Sequence, residues 1–204
     1  MIVVINYEMG NVGSILNMLK KVGAEATVSS DKAVIERATK LILPGVGAFD
    51  NGMKNLHRFD LAPLLNRRAL EDKIPVLGIC LGMQLLFKGS EEGDLPGLGW
   101  IDAEVVKFRF DKTDSSLKIP HMGWNTINIR QPGGIFAEMP EEPRFYFVHS
   151  YYVRCREEAD VLATTHYGSE FTSAVRRDNI MGTQFHPEKS HKFGMKVFRN
   201  FVNL

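Results

Sequence analysis

Cysteine is scarce in this sequence: 204 residues include only Cys80 and Cys155. A disulfide framework would normally draw on more, so a hydrophobic core has to hold the fold. An excess of one charge is also missing. Lys and Arg number 25 against 24 Asp and Glu, a formal net charge of +1. That excludes the basic balance of nucleic-acid binders and the one-signed excess of charged tails. No apolar run approaches the roughly 18 residues that a membrane span requires. The opening Met1-Ile2-Val3-Val4-Ile5-Asn6 lacks the basic start and small-residue cleavage site of a signal peptide. No repeat, low-complexity segment or Pro/Gly/Ser linker divides the chain. With 44% hydrophobic and 24% charged residues, the expectation is one cytoplasmic globular domain over residues 1–204.

What is present alternates. Residues 2–5 form an apolar run suited to a strand buried on both faces. Val12, Ile15, Leu16, Leu19 and Val22 follow at helical spacing, closed by Gly23. Ala26-Thr27-Val28 reads as a strand, and Asp31 can cap a helix over 32–38. Leu41-Ile42-Leu43 is a third strand, a helix is predicted over 60–71, and residues 75–79 form a fourth strand. Leu81, Leu85 and Leu86 then resume helical spacing. Residues 100–108, 124–129, 144–153, 161–166, 171–176 and 180–185 are strand-like, and a helix over 192–203 closes the chain. The expected fold is α/β: a doubly wound, mostly parallel sheet with an antiparallel extension.

Chemistry concentrates at Gly78-Ile79-Cys80-Leu81-Gly82, where a buried strand turns into a helix. G-x-C-x-G is the cysteine form of a nucleophile elbow, with glycines where Cβ atoms would clash. Cys80 would sit at a helix start, which favours a thiolate, and the Leu81 N–H would point toward a forming oxyanion. A free cysteine is most often a small buried hydrophobe, so the five residues alone leave both roles open. His186-Pro187-Glu188 supplies the missing partners. A thiol nucleophile needs a base and the base an orienting acid, and residues two apart on extended chain project to one side. Pro44-Gly45-Val46-Gly47 is either a plain turn or a backbone stretch able to approach a ligand. Cys155, without flanking glycines, reads as structural. His57, His121, His149, His166 and His191 show no metal-ligand spacing, and no phosphate loop occurs. No metal and no cofactor are expected.

These motifs, with Met83-Gln84 and Lys189 extending them, resemble the class I triad glutamine amidotransferases. Met9-Gly10-Asn11, Pro120-His121-Met122-Gly123-Trp124-Asn125 and Tyr146-Phe147-Val148-His149-Ser150-Tyr151 narrow the likeness to the HisH-type subunits of imidazole glycerol phosphate synthases. The likeness runs through essentially the whole chain. It implies glutamine hydrolysis, with Cys80 as nucleophile, His186 as base and acid, and Glu188 orienting it. It implies an oxyanion hole from the Val46 and Leu81 amides, and glutamine contacts at Gly47, Gln84, Glu92, Ser150 and Tyr151. It also implies delivery of ammonia to a cyclase partner that makes imidazole glycerol phosphate and AICAR, with Asn11, Trp124, Tyr146 and Lys189 facing that partner.

Three stretches depart from the pattern: Asn6-Tyr7-Glu8, Gly13 where a larger residue is common, and Ser190-His191-Lys192-Phe193-Gly194. They resemble paralogues that feed ammonia to N-acetyl-sugar amidotransferases in surface-polysaccharide synthesis, which stands as the alternative acceptor.

Overall fold

A computed structural model describes residues 1–110 and 117–204. Strand β1 (Ile2–Ile5) leads to helix α1 (Val12–Lys21), whose Asn11 side chain accepts from Ser14 N. Gly23 follows the helix with φ of +81°, a conformation that suits glycine and ends the helix as the sequence predicts. Next come β2 (Ala26–Ser29), α2 (Lys32–Glu36) and β3 (Lys40–Leu43). Asp31 caps α2 as expected, accepting from Ala33 N at 2.8 Å. Helices α3 (Phe49–Arg58) and α4 (Ala62–Asn66), a π-helical turn at Arg67–Glu71, β4 (Val76–Ile79) and α5 (Leu81–Gln84) complete the first half.

The second half holds β5 (Gly89–Ser90), β6 (Ala103–Lys107), β7 (His121–Thr126), β8 (Asn128–Ile129) and β9 (Arg144–His149). Then follow β10 (Tyr151–Cys155), β11 (Val161–Tyr167), β12 (Ser169–Arg177), β13 (Ile180–Thr183) and the closing helix α6 (His191–Val202).

The main sheet runs in the order β2-β1-β3-β4-β13-β12-β10-β6-β5, with β11 and β8 branching from β12. Pairs from β2 through β13 are parallel, and β13 to β12 begins the antiparallel part. Strands β7 and β9 form a separate two-stranded ribbon. Alternation divides the core cleanly. Val3, Ile5, Leu41, Leu43 and Val76 face one apolar layer with α2, α3 and α4. Ile2, Val4, Ile42, Leu77 and Ile79 face the other, with α1 and α6. The doubly wound α/β reading therefore holds.

Several boundaries differ from expectation. The single helix expected over 60–71 is α4 plus the π-turn, and α3 precedes it unforeseen. Its apolar face is narrow (Phe49, Met53, Leu56), and Gly52 interrupts it because Leu85 presses against that turn. The strand expected over 144–153 breaks at Ser150, where the chain leaves the ribbon and enters the main sheet. Residues 100–102 lie outside β6, and 184–185 outside β13. The strand expected over 124–129 is the end of β7 plus β8. The expected helices 32–38 and 192–203 are α2 and α6, and β5 was not foreseen.

Candidate active site

The sharpest local constraint is the turn from β4 into α5. Cys80 has φ of +53° and ψ of −111°, a conformation that side chains avoid. Its N–H donates to Thr183 O at 2.7 Å, which pins the turn to β13. A Cβ on Gly82 would fall 1.9 Å from Leu43 O, and one on Gly78 2.7 Å from Gly82 O. Only glycine fits either position, so the steric reason given for G-x-C-x-G is met. A Cβ on Gly45 would fall 2.5 Å from Gly82 N and 2.7 Å from Leu81 Cβ. The Pro44–Gly47 segment therefore lies directly against the start of α5.

A cleft of about 300 Å³ opens there. Its walls bring together Cys80 and His186, Val46 and Leu81, and Gly47, Gln84, Glu92, Ser150 and Tyr151. Glu188 sits behind His186, its Oε1 2.8 Å from His186 Nδ1, and both side chains are almost wholly buried. Burial on its own disfavours a charged imidazole. Its interactions with Cys80 and then with Glu188, hydrogen bonding as well as charge, outweigh that and push His186 up to about 10. Nε2 of His186, the nitrogen left free by Glu188, has no aligned hydrogen-bond partner of its own. These surroundings favour the imidazolium form of His186 beside Cys80, an arrangement suited to a cysteine nucleophile.

The other cleft residues have defined attachments. Glu92 Oε2 accepts from Phe49 N at 2.9 Å, holding the start of α3. Gln84 Nε2 donates to Gln184 Oε1 at 3.0 Å and Tyr151 O at 3.3 Å. Gln184 Nε2 in turn approaches Cys80 Sγ at 3.7 Å. Burial, and after it the charges of Glu92 and Glu91, push the Tyr151 hydroxyl up.

The residues expected to face a partner divide. Trp124, Tyr146 and Lys189 share one surface: the Trp124 and Tyr146 ring centroids are 6.4 Å apart, and Lys189 Nζ lies 5.6 Å over Tyr146. Asn11 is exposed at the start of α1, where its side chain caps the helix.

Sequence reasoning missed several supports. Tyr7, fully buried, donates its hydroxyl to Pro44 O and so anchors the glycine-rich segment. Burial, then the Cys80 charge, raises its pKa, so it stays a donor. Ser190 accepts from Tyr146 N at 3.0 Å and donates to His186 O at 2.6 Å. His191 stacks on Trp124 at 5.4 Å. The divergent tail is thus built into the site. A tyrosine two residues beyond the apolar run of β1 was the one local signal available for Tyr7. Cys155 is pushed up to about 12, mainly by burial, consistent with a packing role. Among the described residues no group of three His, Cys, Asp or Glu is placed to hold a metal ion. No described helix is long and apolar enough to cross a membrane.

Comparison with known proteins agrees with this geometry. The family model described as glutamine amidotransferase class-I matches residues 3–204. The chain is 55% identical to imidazole glycerol phosphate synthase subunit HisH 2 of Methanococcus maripaludis, over 99% of this chain and 98% of that protein. It is 53% identical to the protein of the same name from Pseudomonas aeruginosa, over the full length of both. Among solved structures, PurLQS from Thermotoga maritima superposes with a TM-score of 0.75 at 21% identity, covering 99% and 97% of the two chains, a likeness of fold. An elbow cysteine paired with a buried His-Glu couple, on this sheet order and with these relatives, places the chain in the class-I glutamine amidotransferase family.

Proposed function

We propose that this chain, acting as one domain, is the glutaminase subunit of an imidazole glycerol phosphate synthase. The Cys80 thiolate attacks the side-chain amide carbon of glutamine, and the oxygen becomes an oxyanion held by the Leu81 and Val46 N–H groups. His186 gives its proton to the departing nitrogen, which leaves as ammonia and a γ-glutamyl thioester remains. His186 then takes a proton from water as that water attacks, and glutamate is released with the Cys80 thiolate and the imidazolium restored. Glu188 holds the imidazole in the required orientation. Glu92 suits the substrate's ammonium group, while Gly47, Gln84, Ser150 and Tyr151 shape the remaining wall.

The observation that carries the reading is the His186 imidazole held by Glu188 and lining the same cleft as Cys80, which helps raise its pKa. The ammonia passes to a cyclase subunit docked over Trp124, Tyr146 and Lys189, with Asn11 at the edge. The relatives' names favour that acceptor over a sugar amidotransferase. A cytoplasmic location follows from such a biosynthetic role. The Pro44–Gly47 segment, anchored at one end by Tyr7, is suited to setting the Val46 amide when partner and acceptor bind.

The test has two parts. Cys80→Ala is expected to abolish glutamine-supported synthesis by the complex and spare ammonium-supported synthesis. Glutamine-supported turnover in that variant contradicts the nucleophile assignment. The partner copurifying with the chain is expected to be a barrel-shaped cyclase, and a sugar amidotransferase in its place overturns the acceptor.

A further inference from the structure

Two buried histidines beside the cleft have no part in that chemistry. His149 lines the cleft, and His121 lies behind it on β7, directly across the ribbon from His149. Their hydrogen bonds can be assigned from the two ends inward. His149 Nδ1 stands 2.7 Å from Tyr151 O, which only accepts, so Nδ1 carries the proton. In the neutral ring Nε2 is then an acceptor. The atom facing it at 2.9 Å, His121 Nδ1, has to donate. That leaves His121 Nε2 as an acceptor, and it meets Asn125 Nδ2 at 3.2 Å, a group that only donates. The same Asn125 nitrogen donates to His166 O at 3.0 Å. No direction conflicts with another.

Charge would break the pattern, because two N–H groups would then face each other. Burial pushes His121 down to about 4 and, chiefly, His149 to about 3, so both rings are neutral at pH 7. A neutral His149 also avoids repelling the His186 imidazolium beside it. The chain ends at Tyr151 O, the carbonyl that Gln84 also holds, and Gln84 leads through Gln184 to Cys80 Sγ.

We propose that Asn125, His121 and His149 form an uncharged, one-directional hydrogen-bond relay that positions the Ser150–Tyr151 wall of the cleft from the strand bearing Trp124. All three are positioning residues. The proposal rests on the cleft being a glutamine site, but its first test does not.

Nitrogen NMR of the wild-type chain is expected to find both imidazoles at pH 7 as neutral Nδ1–H tautomers. An Nε2–H tautomer, or a charged ring, overturns the relay whatever the substrate. His121→Phe keeps a ring between Tyr167 and Phe147, whose centroids lie 4.0 and 4.8 Å from it, but removes the donor to His149. In the complex its KM for glutamine is expected to rise roughly tenfold, the scale of one lost buried donor, with kcat changed far less. Ammonium-supported synthesis should be unchanged. An unaltered KM, or a loss confined to kcat, contradicts the relay. Absence of glutamine hydrolysis in the wild-type complex would instead contradict the glutaminase reading and leave the tautomer result standing.

Discussion

The parallel part of the main sheet and the antiparallel strands that follow it, the β7–β9 ribbon among them, line one cleft by different means. On the parallel side, backbone sterics decide. Gly45, Gly78 and Gly82 have main-chain atoms where a Cβ would go, and Cys80 is forced into a positive φ between them. On the antiparallel side, side chains decide: His149 and Gln84 hold the Tyr151 carbonyl, and Ser190 ties β9 to His186. A wall made of backbone has little room to adjust. A wall made of hydrogen-bonded side chains can be altered one bond at a time, and it is continuous with the proposed partner face.

The largest effect is expected where the backbone is tightest. Gly82→Ala puts a methyl 1.9 Å from Leu43 O. It should destabilise the chain by about 3 kcal/mol or more, read by denaturant unfolding. A variant as stable as the parent would remove the steric basis of the comparison.

The proposed catalytic pair comes next. His186→Ala should lower glutamine-supported kcat by about 10³ or more, since the proton carrier is gone. Glu188→Gln should cost less, because it removes only orientation and charge. It should also change the pH profile. The raised His186 pKa keeps the imidazolium present through neutral pH and loses it as pH rises through about 10. Without the Glu188 charge, the alkaline limb should move to lower pH. Equal losses from both variants, with that limb unmoved, would contradict the assigned roles.

Smaller effects mark the boundary of the site. Cys155→Ala should leave glutaminase activity unchanged and shift stability by about 1 kcal/mol at most, because its thiol is protonated and only packs. Gly13→Ala is the counterpart of Gly82→Ala. Its added Cβ meets nothing within 4 Å and its φ is ordinary. A gain of up to about 0.5 kcal/mol is expected from the better helix former. A loss would mean that this departure from the family pattern has a structural reason.

The same contrast explains what was legible in the sequence. The parallel half declares itself locally: apolar runs, the Asp31 cap, the Gly23 stop and the glycines around Cys80 all act within a few residues. The antiparallel half depends on pairings across long stretches of chain. His121 and His149 meet although 28 residues apart, and only register brings them together. The break at Ser150 was hidden for the same reason. Both flanks alternate well as strand, and the change of sheet is a tertiary event. Tyr7 and Ser190 act through a carbonyl or amide far along the chain, which residue type alone does not reveal. Helix α3 was obscured differently, by a glycine that close packing of α5 requires.

The most direct measurement is to treat the wild-type complex with an electrophilic glutamine analogue and locate the covalent adduct by peptide mass. The expected result is a single γ-glutamyl-type adduct on Cys80, formed more slowly when excess glutamine competes, with Cys155 unmodified. An adduct on Cys155, or labelling of Cys80 that glutamine does not slow, would contradict the account.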